Sequence, residues 1–188
     1  MRKRAVLMIA LVVLTACTSG VSANQKGNYW LSLPLNVVVP TGDLADISST
    51  GWGIGFLVGY WITDSFLLDT GVTFQNFGEK KVTDDVKING AIVPIELGIS
   101  YYFMKESKYR PYIVFTTGYF NYESDFREEW ALGQKNKPGN SLGLGMAFLR
   151  GMNNEAMLFV EPRVYAIYDD EVLNYWAINF GIAWNIGG

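Results

Sequence analysis

The chain has 188 residues, which is enough for one domain with a short export segment. Its 15 basic and 18 acidic side chains give a formal net charge of -3, so its charge gives no reason to expect a nucleic-acid partner. Apolar residues make up 49% of the chain, yet beyond the N-terminus no apolar run approaches the ~20 residues that a membrane helix needs. If this protein crosses a membrane, it does so with strands.

Residues 1–23 have the composition of a secretory signal peptide. A basic start over residues 1–4 is followed by an apolar stretch, Ala5 to Ala16, that is too short to span a membrane. Val21-Ser22-Ala23 presents the small residues that a general signal peptidase accepts. Cleavage there would leave Asn24 as the mature N-terminus.

A second processing site is an alternative to that cleavage. Leu14-Thr15-Ala16-Cys17 resembles the bacterial lipobox, in which the cysteine is lipidated and becomes the first residue. Cys17 is therefore either a lipidation site or part of a discarded peptide, and both interpretations stay open. Because it is the only cysteine, the mature domain has no internal disulfide.

The clearest strand pattern in the chain is a hairpin. From Trp52 to Ile62 the even positions are large and apolar, whereas the odd positions include three glycines. After Thr63-Asp64-Ser65 the alternation resumes over residues 66–75, again with one apolar face and one small or polar face. A period of two is the mark of a β-strand, and the short interruption predicts a tight antiparallel turn.

About eight segments have strand character, and the alternation is readable in most of them. They are residues 29–39, 52–62, 66–75, 89–103, 112–122, 141–149, 157–168 and 173–186. Pro34 is the weakest point of the first, because proline cannot donate to a strand ladder. An even number of antiparallel strands returns both chain ends to the same side.

The connections between these segments alternate in length. Those at 63–65, 105–110 and 150–155 are short, those at 41–50, 78–87 and 124–140 are longer and polar, and 169–171 breaks the trend by being short. Such alternation, with strands long enough to cross a bilayer core, is typical of outer-membrane barrels. Aromatic residues near the segment ends predict belts at the membrane interfaces. They are Tyr29, Trp52, Tyr60, Trp61, Tyr101, Tyr112, Tyr168 and Trp184.

Several short motifs carry a family resemblance that covers nearly the whole mature chain. They are Pro40-Thr41-Gly42-Asp43, Gly51-Trp52-Gly53-Ile54-Gly55, the Asp64 turn, Pro94-Ile95-Glu96-Leu97-Gly98 and Arg110-Pro111-Tyr112. The pattern resembles the small OmpA-like and OmpX-like outer-membrane β-barrel domains. Such barrels usually end on a terminal aromatic residue that the assembly machinery reads, whereas this chain places Trp184 before Asn185-Ile186-Gly187-Gly188.

The resemblance and the strand pattern together predict an all-β fold, an eight-stranded antiparallel up-and-down transmembrane β-barrel. The expected plan is a signal peptide over 1–23, a linker over 24–28 and a barrel domain over 29–188. The resemblance implies export to the bacterial outer membrane, with lipid, lipopolysaccharide and the barrel-assembly machinery as partners. It names no surface partner.

Four charged residues fall on inward faces at mid-strand: Asp69, Glu96, Glu161 and Arg163, with Glu123 near a strand end. The interior of an eight-stranded barrel is just wide enough for side chains to fill it, so an unpaired carboxylate there would be costly. An arginine can fork to two carboxylates, which predicts a salt-bridged plug. At least one acid should be protonated or paired with a base from a loop. A polar track for ions or small solutes is the alternative.

Catalysis has little support in this sequence. Outer-membrane lipid A deacylases and palmitoyltransferases rely on a histidine with a serine, and the chain has no histidine. No cofactor is expected.

The acids at 43 and 46, at 84 and 85, and at 169–171 are either divalent-cation ligands among lipopolysaccharide headgroups or, more simply, solvated loop residues. The connection at 124–140 offers a contact surface or an ordinary loop. Its candidate residues are Asp125, Arg127, Glu128, Glu129 and Trp130.

The predicted role is therefore structural or interactional, with no catalysis. Two alternatives remain, a lipocalin-like calyx for an apolar ligand and a narrow channel for small solutes. A calyx would carry its large apolar residues inside and its charges outside. Here the glycines and carboxylates share the thin face of the strands, which favours the membrane barrel.

Overall fold

The computed structural model describes residues 26–83, 86–104, 107–124, 135–150, 156–169 and 172–187. Eight antiparallel strands form a closed barrel in up-and-down order, as the sequence predicts. They are β1 (Tyr29–Thr41), β2 (Ser49–Trp61), β3 (Phe66–Thr83), β4 (Val86–Tyr102), β5 (Tyr109–Ser124), β6 (Lys135–Arg150), β7 (Ala156–Tyr168) and β8 (Val172–Gly187). The ladder between β1 and β8 closes the barrel, from Tyr29 opposite Gly187 to Thr41 opposite Asn174.

A short helix, α1 (Asp43–Ile47), connects β1 to β2. It begins after Gly42, whose φ of 57° is a backbone conformation that glycine adopts without strain. It ends at Ser48, whose amide donates to the carbonyl of Leu44. No helix in the described ranges is long and apolar enough to cross a membrane.

The barrel has two distinct ends. At the end where β1 begins and β8 ends, here called the proximal end, the connections are short. In one of these turns the Ile62 amide donates to the Phe66 carbonyl at 3.0 Å. At the opposite, distal end the pairing continues much further than the sequence predicts. Thr83 lies opposite Val86, and Tyr122 lies opposite Lys135. The predicted connection at 78–87 is therefore largely strand, and residues 124 and 135–140 of the connection predicted at 124–140 also continue the ladders.

Large apolar side chains cover the outer surface of the barrel. Leu142 and Leu144 on β6, for example, are 53% and 62% exposed, whereas the neighbouring Ser141, which points inward, is buried. The inner surface is lined by small, polar and aromatic groups that pack together. Gly53 shows how tight this packing is, since a Cβ there would lie 2.2 Å from Asn36 Oδ1. This arrangement is the reverse of a calyx.

The interior contains two apolar clusters. The proximal cluster includes Trp30, Trp61, Leu67, Tyr102, Tyr112, Val114, Ala147, Leu149, Met157 and Ala183. The distal cluster includes Val38, Leu44, Phe77, Ile92, Phe120, Tyr165, Ile167, Tyr175 and Ala177, with Ile47 and Leu173 against it. Leu44 and Ile47 belong to α1, so this helix packs over the distal mouth. Buried polar residues that include Glu96, Ser141 and Arg163 occupy strand positions between the two clusters.

Exposed aromatic residues form belts near both ends, with three corrections to the predicted membership. Ring pairs such as Tyr29 with Tyr60 lie at the proximal end, and Trp52 with Phe74 lies toward the distal end. Trp61, Tyr112 and Trp184 are buried instead.

Strand position explains these three exceptions. Trp61 follows the exposed Tyr60, and Tyr112 precedes the exposed Ile113, so both occupy inward positions of their strands. Trp184 lies between the buried Ala183 and Asn185, where the two-residue alternation of β8 is interrupted beside a register shift in the β1–β8 pairing.

Candidate functional site in the barrel interior

Arg163 forms the centre of the buried polar residues. Its Nη2 and Nε lie 2.6 and 2.7 Å from Glu161 Oε1. Its Nη1 lies 3.7 Å from Glu96 Oε2, across the barrel on β4. The two β7 residues share the inner face because they are two positions apart. One guanidinium therefore serves two carboxylates from opposite walls.

Glu161 is held by two further hydrogen bonds. Tyr112 on β5 donates its hydroxyl to Oε2 at 2.9 Å, and Asn179 on β8 donates its amide to Oε1 at 3.0 Å. Tyr112 also stacks on Tyr102, with 4.7 Å between the ring centroids. This carboxylate thus links the polar centre to the proximal cluster.

Glu96 is bound by hydroxyl groups from the neighbouring strands. Thr116 on β5 donates to Oε1, and Ser141 on β6 lies 3.4 Å from the same oxygen. The Thr116 and Ser141 hydroxyls are themselves 2.6 Å apart. These contacts connect β4, β5 and β6 through the interior, where hydrogen bonds to a charged group are shorter and stronger than neutral ones.

Asp69 is placed differently from the other two acids. Its Oδ2 accepts one long hydrogen bond, from Ser100 Oγ at 3.4 Å. No lysine or arginine in the described part of the chain lies within ion-pair distance of it. Asp69 faces a cavity of about 40 Å³. Glu161 and Arg163 line the same cavity.

The four inward charges of the sequence analysis therefore share one interior, but they are not equivalent. Glu96, Glu161 and Arg163 form a connected group, here called the charged triad, and each is at most 7% exposed. Asp69 lies at its edge. The side chain of Glu123, residues 125–130 and Cys17 lie outside the described residues.

Sequence reasoning missed the neutral partners of the triad. Thr116 and Gly118 are placed inward by the alternation, but nothing along β5 indicates that Thr116 meets a carboxylate on β4. Tyr112 resembles a belt residue because it lies near a strand end. Only the inward alternation of β5 and β6 could have indicated these residues, and it does not identify which groups meet.

The loop acids are dispersed. Asp43 and Asp46 are in α1, and Asp169 pairs with Lys137 at 2.5 Å. Residues 84, 85, 170 and 171 lie outside the described ranges. Within those ranges, no group of three or more acidic, histidine or cysteine side chains could hold a metal ion.

Comparison with known proteins assigns the family. A family model described as "Outer membrane protein beta-barrel domain" matches residues 8–185. The chain belongs to this outer-membrane β-barrel family. No curated protein matches it in sequence.

Solved structures of outer-membrane proteins share its fold. OprG from Pseudomonas aeruginosa is 14% identical with a TM-score of 0.64, covering 89% of this chain and 100% of its own. Neisserial surface protein A is also 14% identical with a TM-score of 0.64, covering 84% and 97%. Ail of Yersinia pestis is 12% identical with a TM-score of 0.53, covering 85% and 99%. At these identities the likeness shows the fold alone.

Proposed function

We propose that this outer-membrane barrel is a sealed membrane anchor that presents its distal end to the cell exterior for interaction, without a catalytic step. Barrels of this kind have short periplasmic turns and longer outer connections. That rule directs the proximal end to the periplasm and the distal end to the outside. The export segment at 1–23, ending at Ala23 or at a lipidated Cys17, is part of the proposal.

The main support is a one-sided extension of the barrel beyond its distal belt. On β3 the strand continues nine residues past Phe74, to Thr83. At ~3.3 Å per residue and a tilt of ~40°, this is roughly 20 Å of additional height. By contrast, β2 begins at Ser49, only three residues from Trp52.

The extension is a four-stranded wall over one side of the mouth. The β2–β3 ladder stops at Ser49 opposite Gly78, and the β6–β7 ladder stops at Gly139 opposite Ile167. In the described residues β3 pairs with β4 as far as Thr83 opposite Val86, β4 with β5 as far as Gly90 opposite Ser124, and β5 with β6 as far as Tyr122 opposite Lys135. On the other side of the mouth the β7–β8 ladder adds one further pair, Tyr168 with Val172. The connection between β5 and β6 contains the predicted contact residues at 125–130, which remain a prediction. We propose this wall, with that connection, as the surface that meets a partner or lipopolysaccharide.

The filled interior supports an anchor rather than a channel. An apolar cluster lies at each end, and Arg163 joins Glu96 to Glu161 between them. A catalytic role has no support from this site, since the chain lacks histidine and both triad carboxylates bind Arg163 and hydroxyl groups.

One relative suggests a test of ligand type. Ail has been solved in complex with the heparin analogue sucrose octasulfate, at 11% identity to this chain. Two lysines of the distal end are already engaged here, Lys80 with the carbonyl of Ala45 and Lys137 with Asp169. Lys81, Lys87 and Lys135 also lie on the extended strands, so calorimetry with sucrose octasulfate tests whether the distal end binds a polyanion.

Cysteine labelling on intact cells tests the proposed orientation. Asn136 lies in the exposed part of the extension, and Lys108 is exposed at the proximal end. In the Asn136→Cys variant, a membrane-impermeant maleimide should label whole cells, whereas Lys108→Cys should react only after the outer membrane is permeabilised. Cys17 should remain silent, since it is either removed or lipidated.

The same preparations test membrane insertion and processing. Outer-membrane fractions run with and without boiling should show the heat-modifiable migration of a closed barrel, and the mass of the band distinguishes the two export products. Labelling of Lys108→Cys on intact cells would reverse the orientation. A soluble product without a heat shift would exclude the anchor.

A further inference from the structure

We propose that the cavity beside Asp69 is a binding site for a small ammonium-type cation, namely ammonium or methylammonium. The site lies within the barrel, between the charged triad and the proximal cluster. It is separate from the distal surface proposed above and does not depend on it.

The first argument is the charge balance of the described interior. Three carboxylates, on Asp69, Glu96 and Glu161, lie near one guanidinium, that of Arg163. The other buried arginine, Arg110, lies at the proximal end, where its Nε donates to the carbonyl of Ser107. Arg163 directs two nitrogens to Glu161 and one to Glu96, so its hydrogen-bonding positions toward these acids are occupied. Asp69 is left with one hydroxyl partner at 3.4 Å, which does not neutralise a charge. A carboxylate enclosed in this way is costly unless a cation or a proton accompanies it.

The second argument is the nature of the cavity walls. Beside Asp69, the cavity is lined by three aromatic rings, those of Tyr102, Tyr112 and Phe159. Aromatic rings attract ammonium groups through their quadrupole, and the attraction grows when the cation is desolvated. The hydroxyl-bearing side chains of Ser32 and Ser100 also line the cavity and can accept hydrogen bonds from an N–H donor. Arg163 also lines the cavity, but two of its nitrogens lie within 2.7 Å of Glu161. The lining therefore carries two carboxylates, those of Asp69 and Glu161, against one guanidinium, and with the aromatic rings this excess of negative charge matches an ammonium group.

The third argument is size. The cavity has a volume of about 40 Å³, larger than the roughly 10–15 Å³ that a cavity needs to hold one water. Ammonium or methylammonium fits this space, whereas tetramethylammonium does not. A metal ion is the weaker candidate, because no group of three or more metal-ligating acidic, histidine or cysteine side chains occurs among the described residues.

Thermal unfolding of the refolded full barrel tests the site, with the loss of the compact gel band as the signal. Ammonium and methylammonium chloride should raise the midpoint in a saturable manner. Sodium and tetramethylammonium chloride at equal ionic strength should not. Titration of ¹⁵N-ammonium by NMR gives the affinity directly.

Two variants and one control locate the effect. Asp69→Asn should weaken ammonium binding at least tenfold. Ser32→Leu should also weaken ammonium binding, because the larger side chain fills the cavity while the Asp69 carboxylate stays in place. This variant tests the site even if Asp69→Asn does not fold. Asp46→Asn, the same chemical change at an exposed position in α1, should bind ammonium like the parent.

Three results would overturn the proposal. Equal stabilisation by all four chlorides would indicate general screening. Full ammonium binding in Ser32→Leu would place the cation elsewhere. No response to ammonium, with Asp69→Asn as stable as the parent, would show that Asp69 carries a proton and that the cavity holds water only.

Discussion

The two apolar clusters that close the barrel differ in their construction. The proximal cluster is formed by side chains of the barrel strands, including the rings of Trp30, Trp61 and Tyr102. The distal cluster incorporates Leu44 and Ile47 from α1, outside the strands. The difference indicates that the proximal closure is as stable as the barrel itself. Part of the distal closure is α1, which can be loosened without unfolding the barrel strands.

The largest effect is expected at the triad, on which both closures rest. Arg163→Leu leaves Glu96 and Glu161 buried without their cation, which should cost about 3–5 kcal/mol of unfolding free energy. Urea titration of the refolded barrel in lipid would measure it. The charge-neutral variant Arg163→Leu with Glu96→Gln and Glu161→Gln should recover part of the loss. No recovery would mean that packing, not charge, dominates at this position.

Trp61→Ala should have the next largest effect. The Trp61 side chain is fully buried, and its ring contacts Trp30 and Tyr102 at centroid distances of 6.5 and 4.8 Å. Removing a buried aromatic side chain costs roughly 3 kcal/mol or more, through lost burial and the cavity that remains. Trp52→Ala is the matched control, because Trp52 is exposed on the outer surface. Equal losses for both would contradict the role of Trp61 in the closure.

Leu44→Ala tests the distal closure and should cost less than Trp61→Ala, about 2 kcal/mol. Leu44 is 8% exposed within the distal cluster, but α1 can shift to reduce the cavity. Proteolysis should cut the 41–50 connection faster in this variant while the barrel core stays protected. Global unfolding that matches Trp61→Ala would mean that the two closures are equally integral.

Lys80→Met should have the smallest effect on stability, below about 1 kcal/mol. The Lys80 ammonium donates to the carbonyl of Ala45 and holds α1 to β3, and a partly exposed hydrogen bond of this kind contributes little in net terms. Hydrogen exchange at residues 43–48 should increase. A loss comparable to Leu44→Ala would show that this contact, not Leu44, docks the helix.

Conductance measurements in planar bilayers test which of the two closures seals the barrel, independently of their contributions to stability. Replacing residues 43–47 by a flexible Gly-Ser linker should produce no steady openings in planar bilayers, because the triad and proximal cluster remain. Steady openings in that variant would show that α1 alone seals the barrel. Openings in the parent protein would overturn the sealed anchor.

Much of the architecture is readable from the sequence because alternation in a strand is a local property. Every predicted strand is present, and Phe66, Leu68, Val72 and Phe74 are outward while Thr73 and Gln75 are buried. Pro34 does not break β1. It lies opposite Gly181 of β8 and is buried. The errors concentrate at strand ends. At the distal end, residues 78–83 continue as strand because β4 is available to pair with them. The local sequence pattern does not reveal the presence of a partner strand.

The candidate site was only partly accessible to sequence reasoning. Alternation assigns Glu96, Glu161 and Arg163 to inward positions, and charge balance predicts that they meet. It does not identify Thr116, Ser141 or Asn179 as their partners. These contacts depend on the register of five different strands and on the reach of each side chain across the barrel.

By itself the sequence determined the strands and the two faces of the barrel, because each depends on neighbouring residues. The tertiary structure alone decided that Arg163 bridges β4 and β7, that Asp69 faces a cavity, and that Trp61 fills the interior. Those outcomes follow from closure. Joining β1 to β8 brings residues far apart in sequence into a narrow space, where packing and charge pairing choose among positions that look equivalent along the chain.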